Sequence, residues 1–507
     1  MSKRVKFFYN GILLTVVGLA MRAAGLFLGA YVSSAIGAEG IGLQSLIMTV
    51  YSFAVTFATS GVSLSVTRLV AAAIGEGKDG EGDRILRGAF LYALFFGITA
   101  SVLTYSLSAP IGMRILSDLR TVAAIRILAL SLIPVALSSV ISGYFVAVRR
   151  VTLNAVVQVL GQLMRIALTV ILLLRFSHMG VEYAVMALAV GVTLTELVCF
   201  LIALVEFFFD RRIYISTRVK GYATIDVAKM ALPVAFSAYV RSFLLSIEHS
   251  IIPKRLIKRG NTQSEALASY GYLHGMALPI ILFPMTPLSS FSGLLVPEFA
   301  ECEGRGDGVR MKYVAREALS KTLAYALAVS VLVYVFSEEL GYVIYHSYEA
   351  GRYIAMLSPI IPIMYLDHVT DSMLKGIGEQ VFSMWVNIID ALLSVMLVWV
   401  LIPIFDISGY ALVIIIMEVF NFSLSFYRLN RRIPVGISII GGVITPLISA
   451  IVSALAVDRL FDFNGNATTP MVLVIKIIFA VCLFVLLSFA FGKLLEISNR
   501  KREKDAL

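Results

Sequence analysis

Runs of about twenty or more apolar residues recur from Phe7 to Leu495, separated by short polar gaps, and no stretch alternates apolar and polar residues as a barrel strand would. A bilayer core about 30 Å thick takes roughly 20 helical residues to cross. The pattern therefore predicts an all-α integral membrane protein of about fourteen transmembrane helices. They fall near 8–33, 42–72, 85–108, 122–147, 152–174, 182–208, 224–252, 270–299, 312–336, 351–375, 381–403, 408–428, 435–457 and 470–495. The first run, from Gly11 to Ala30 behind Lys3, Arg4 and Lys6, is longer than the apolar core of a signal peptide and reads as a retained helix.

The pattern also repeats. Arg22 lies midway along helix one and Arg241 midway along helix seven, each followed by a helix that ends in a Gly-rich, charged hinge, at 61–84 and at 293–310. The Pro-containing layouts of 126–150 and 352–378 match in the same order. Two six-helix lobes follow, 1–210 and 211–430, related by a pseudo-twofold axis along the membrane normal with a central cavity. Residues 431–507 add two helices and a basic cytoplasmic tail. Pro233, Pro279, Pro284, Pro287, Pro359 and Pro362 interrupt helices seven, eight and ten. Freed backbone groups are tolerated there only against protein or a wet cavity, which suits a transporter, although kinks at Pro are frequent in membrane helices generally.

Composition agrees with lipid as the solvent: 59% of the 507 residues are hydrophobic, 15% are charged and the mean hydropathy is +0.90. A net charge of +10 would suggest a nucleic-acid partner in a soluble protein. Here Lys and Arg gather in alternate loops and in both tails, which is an orientation signal placing both termini in the cytoplasm, and no nucleic-acid partner is expected. Lys254, Arg255, Lys258 and Arg259 break the trend on the expected outer face. Cys199, Cys302 and Cys482 are too scattered for a metal or disulfide framework.

Charges within the membrane are costly and point to function. Arg22, Arg165 and Arg241 lie mid-helix, and a guanidinium stays charged there. Its fork matches phosphate oxygens two at a time, so the three arginines are candidate contacts for a diphosphate headgroup. Glu196 is the clear mid-helix carboxylate of the first lobe, which leaves that lobe with surplus positive charge. The second lobe is acid-rich. Glu248, Asp367, Asn387, Asp390 and Glu418 are candidate ligands of a coupling ion, Na+ or H+, with Asn387 and Asp390 on one helix face. Interhelical salt bridges, such as Arg241 with Glu248 or Asp367, are the competing account. Gln44, Asn154, Gln158 and Gln162 are candidate sugar contacts, the last three forming a stripe along helix five, and hydrogen bonding between helices would use the same groups.

No phosphate loop, nucleophile elbow, metalloprotease motif or ATPase-sized cytoplasmic domain is present, so the expectation is a transporter, not an enzyme, with no cofactor beyond a coupling ion.

The segments GAEGIGLQSLIMTVYSFAVTFATSGVSLSVTRLVAA (37–72) and SIEHSIIPKRLIKRGNTQSEALASYGYLHGMALPIILFPMTPLSSFSGLLVPEFAE (246–301) resemble the stage V sporulation protein B group of polysaccharide flippases. The resemblance runs over essentially the whole chain. It implies the multidrug, oligosaccharidyl-lipid and polysaccharide exporter superfamily and a rocking, inward-open to outward-open cycle. Within that group the Pro253–Leu256 piece is a regular feature, which accounts for the basic outer loop. The related peptidoglycan lipid flippases carry P-N-x-x-R-R after helix one, where this chain has Gly42, Leu43, Gln44 and Ser45. By position, Arg22 and Arg241 match the cavity arginines such flippases use. The resemblance implies a flippase of the bacterial inner membrane for a polyprenyl-diphosphate-linked oligosaccharide, lipid II or a related precursor, with membrane lipids and cell-wall synthesis proteins as partners. The rivals are a cation-coupled multidrug exporter of the same superfamily and, against the short outer loops, a polyprenyl-linked glycosyltransferase or polymerase.

Overall fold

The computed structural model describes residues 3–75, 79–148, 150–214, 221–436, 440–462 and 469–505, and no strand occurs among them. In chain order the helices are α1 (Lys3–Thr59), α2 (Val62–Gly75), α3 (Asp79–Ser106), the single turn α4 (Ser108–Pro110), α5 (Thr121–Ala129), α6 (Leu132–Ala147), α7 (Val151–Phe176) and α8 (Val181–Tyr214). Next come α9 (Thr224–Arg259), α10 (Gln263–Tyr270), α11 (Leu278–Leu282), α12 (Thr286–Arg305), α13 (Gly308–Val335), α14 (Ser337–Tyr345) and α15 (Tyr348–Leu357). The last are α16 (Ile361–Gly376), α17 (Gln380–Phe405), α18 (Ile407–Arg432), α19 (Thr445–Asp462) and α20 (Pro470–Asp505).

Among the described residues ten helices are long and apolar enough to cross a membrane, or twelve if two bent pairs each count as one span. The 57 residues of α1 hold the first expected helix and much of the second as two helical segments joined at Gly37, where φ is +70° and ψ is -179°. That positive φ favours glycine, and it ends one helical segment and re-aims the chain into the next. The tenth expected helix is present as α15 and α16, split by a 3₁₀ turn at Ser358–Ile360 that contains Pro359. Pro284 likewise sits in a 3₁₀ turn between α11 and α12, and a bend of 47° in α9 follows Pro233. Each break falls where proline removes an intrahelical donor.

By packing, the chain forms two compact units, a middle one of Tyr31–Gly271 and a split one of Met1–Ala30 with Tyr272–Leu507. The lobes expected from the internal repeat, with limits near 210 and 430, are a division by pattern rather than by contact and stand as a proposal. In the middle unit α2, α3 and α6 bury Val62, Val66, Ala89, Ala136 and Val140 completely. There α10 crosses α1 at backbone contact. A Cβ on Gly42 would lie 2.0 Å from the Leu267 carbonyl oxygen, and one on Gly271 2.2 Å from that of Ala38. Arg120 ties the same region together. It donates to both oxygens of Asp118 and, at 2.8 Å, to Glu39, which also accepts from Ser264 at 2.7 Å.

In the split unit α12, α13, α16 and α18 close around Phe299, Leu319, Val369, Met373 and Leu429. A second cluster, with Phe336, Ala454, Val457, Leu473 and Ala480, docks α19 and α20 on α13 and α14. Lys476 of α20 is only 2% exposed beside it. Its ammonium donates to Glu339 at 2.6 Å and to Asp458 at 3.3 Å, with the Phe336 ring 5.8 Å away.

Candidate functional site

In the split unit the stretch 278–287 is where the helical ladder fails, because Pro279, Pro284 and Pro287 supply no N–H. The exposed carbonyls are met from elsewhere, as buried acceptors must be. Thr286 donates its hydroxyl to Phe283 at 2.7 Å, in place of the missing Pro287 donor. Tyr365 of α16 donates to Ile281 at 2.9 Å, and Tyr325 of α13 donates to Pro284 at 2.7 Å, the two rings lying stacked with centroids 6.2 Å apart. Arg22 donates to Leu282 at 3.4 Å. A broken helix is thus braced by two tyrosines and carries an arginine at its open edge.

That contact leaves most of the five guanidinium donors of Arg22 available. Among the described residues Arg22 has no carboxylate partner, and neither has Arg241 in the middle unit. Both side chains are exposed on their own units. An arginine at mid-membrane is tolerable only where it meets water or an anion. Arg165 differs. It donates to Glu196 at 3.1 Å, a pair formed between α7 and α8, close to the Tyr51 hydroxyl that is bonded to Ser131. Within the middle unit, the pairing of Arg241 with Glu248 that the competing account offered is not formed among the described residues.

The carboxylates also separate. Asp367 on α16, Asp390 on α17 and Glu418 on α18 lie within electrostatic reach of one another in the split unit. One carboxylate oxygen of Asp367 is buried without a hydrogen-bond partner, as is the side-chain oxygen of Asn421. Asn387 uses its amide N–H on the Ser383 carbonyl of its own helix, at 2.7 Å. Glu248 belongs to the middle unit, buried beside Tyr270, which shares a 2.7 Å hydrogen bond with His249. Among the described residues no three His, Cys, Asp or Glu side chains converge closely enough to hold a metal ion. Gln44, Gln158 and Gln162 form no side-chain hydrogen bond among the described residues, and the side chain of Asn154 lies outside them.

The tyrosine braces of the broken helix are absent from the residues singled out in the sequence, where their only trace is the Pro cluster they serve. On α16, His368 stands one turn beyond Tyr365, and Asp371 is ion-paired with Lys375. Arg22 acts electrostatically on both Tyr365 and His368. One helix therefore carries the arginine-facing residues and the first member of the acidic group.

Comparison with known proteins fits this layout. The family model described as polysaccharide biosynthesis protein matches residues 7–302, and the MatE model matches 259–400. Stage V sporulation protein B of Bacillus subtilis (strain 168) is 25% identical over 444 residues, 85% of each chain. The lipid II flippase MurJ, in an inward closed conformation, shares the fold with a TM-score of 0.70 at 14% identity, over 96% of this chain and 99% of that one. An inward-facing multidrug resistance MATE family transporter of the MOP superfamily has a TM-score of 0.66 at 17% identity, over 83% and 98%. With the family model covering more than half of its length, and ten to twelve candidate membrane spans among the described residues in the fold shared with these two structures, the chain is a multi-pass membrane protein and belongs to the polysaccharide biosynthesis protein family.

Proposed function

We propose that the protein moves a polyprenyl-diphosphate-linked sugar, lipid II or a related precursor, from the inner to the outer leaflet of a bacterial cytoplasmic membrane by alternating access. The carrying observation is that Arg22 and Arg241 lie mid-helix with no carboxylate partner among the described residues. A fixed cation at that depth is stabilised by an anion that visits, and diphosphate oxygens suit the guanidinium fork better than a neutral sugar or a cationic drug. In the middle unit Arg165 is held by Glu196, with which a headgroup would compete. Gln44, Gln158 and Gln162, which form no side-chain hydrogen bond among the described residues, are available to sugar hydroxyls. The names of the similar proteins, stage V sporulation protein B and lipid II flippase, support a cell-wall precursor as cargo. Cytoplasmic termini agree with the basic tails.

Asp367, Asp390 and Glu418 give this reading its coupling step. They sense one another without converging on a common point, which suits protons exchanged on carboxylates better than a sodium ion held by several oxygens. The same acids support the second reading, a cation-coupled multidrug exporter. Export of the lipid-linked precursor in cells that depend on this protein decides between them. Arg22→Ala and Arg241→Ala are each expected to lower it at least tenfold at unchanged membrane abundance. Intact export in both variants, or relief of cationic-dye uptake with no effect on precursors, overturns the flippase reading.

A further inference from the structure

We infer that His368 is the residue that makes the split unit's anion site prefer a diphosphate to a monophosphate. The inference rests on the reading of Arg22 as a headgroup contact. Arg22 and Tyr365 donate to the consecutive carbonyls of Leu282 and Ile281, so the guanidinium and the tyrosine hydroxyl stand side by side on the broken helix. His368 lies three residues beyond Tyr365 on α16, on the same face and about one turn, roughly 5 Å, further along. Among the described residues its ring makes no hydrogen bond, while the helix on either side of it is committed. Tyr365 braces Ile281, and Asp371 and Lys375 neutralise each other as an ion pair.

The consequence follows from counting donors. One phosphate is satisfied by the two-pronged edge of Arg22 and needs nothing more from the protein. A second, linked phosphate must find its own donor a few ångströms away or be desolvated without one. Tyr365 has spent its only hydrogen and Lys375 is held by Asp371. The imidazole of His368 offers an N–H in either protonation state. Sites built to hydrogen-bond a group discriminate most strongly against ligands that lack it, because the donor is otherwise left unpaired.

The test uses the full chain in lipid nanodiscs, with farnesyl diphosphate and farnesyl monophosphate as probes and calorimetry as the readout. The wild type is expected to bind the diphosphate at least tenfold more tightly. His368→Leu and His368→Phe, which have no donor, should each bring that ratio to within about twofold while leaving monophosphate affinity unchanged, and His368→Gln and His368→Arg, which keep an N–H, should retain it. Two substitutions of different shape, each checked by thermal unfolding, keep a folding defect from deciding the outcome. If Arg22→Ala abolishes binding of both probes but the ratio survives at position 368, His368 is a packing residue and the inference is overturned. If Arg22→Ala leaves diphosphate binding intact, the headgroup reading itself fails.

Discussion

Lys476 holds its charge where almost no solvent reaches, against Glu339 and Asp458. Removing one member of a buried ion group leaves the others uncompensated, at a cost of about 3–5 kcal/mol. Lys476→Met should therefore lower the thermal midpoint of the purified protein by several degrees, and Lys476→Met combined with Glu339→Gln should recover part of the loss. No recovery in the double variant would mean that the triad contributes packing alone. Glu379, between α16 and α17, behaves differently. Hydrogen bonds from Arg428 and then Arg432 hold its carboxyl below the usual carboxylate range. A lowered folded pKa stabilises fully above the unfolded value of about 4.3 and ceases to as pH falls through the folded one. The midpoints of wild type and Glu379→Gln should thus differ by a constant amount between about pH 5 and 7 and converge below about pH 4. Intramembrane arginines were legible in the sequence because each interrupts an apolar run. Their pairing was not, since Glu196 comes 31 residues after Arg165 and only packing brings α8 beside α7. Lys476 escaped notice for the same reason, its partner Glu339 being 137 residues away.

Helices were legible at the scale of elements because lipid demands length and apolarity, both of which a sequence displays. Proline marked most of the breaks. The break at Gly37 falls in the gap expected between helices one and two, but the crossing of α1 by α10 was not legible, since a helical glycine reads the same whether it faces another backbone or open lipid. The structure distinguishes them. A methyl group on Gly42 or Gly271 would meet a carbonyl oxygen at 2.0 Å or 2.2 Å, and backbone cannot yield as a side chain does. Gly293, on α12, has nothing within 4 Å of the same position. Gly42→Ala and Gly271→Ala should each destabilise by about 1–3 kcal/mol, the usual cost of overpacking, while Gly293→Ala should be neutral or slightly favourable. Thermal unfolding of the three variants in one detergent checks this. Equal midpoints across the set would mean that α1 and α10 do not touch in the folded protein.

As the proposed flippase, the whole molecule draws its energy from a source other than ATP, and its charges offer two that can be separated. An anion moving outward across an inside-negative membrane gains about 2.3 kcal/mol per charge per 100 mV, so a diphosphate gains roughly twice that. Protons exchanged at Asp367, Asp390 and Glu418 would draw on a pH gradient instead. The cationic and acidic groups meet on α16, where Tyr365 and His368 face Arg22 and Asp367 faces the other acids. A displacement of that helix would be felt by both. In proteoliposomes with potential and pH gradient imposed independently, the wild type should respond to either. Asp367→Asn and Glu418→Gln should lose the response to the pH gradient by about tenfold and keep the response to potential, because the cargo's own charge is untouched. Arg22→Ala should lose both, since without the headgroup contact there is no charged cargo to move. A pH-gradient response that survives in both carboxylate variants would remove the acids from the cycle and leave the membrane potential as the drive.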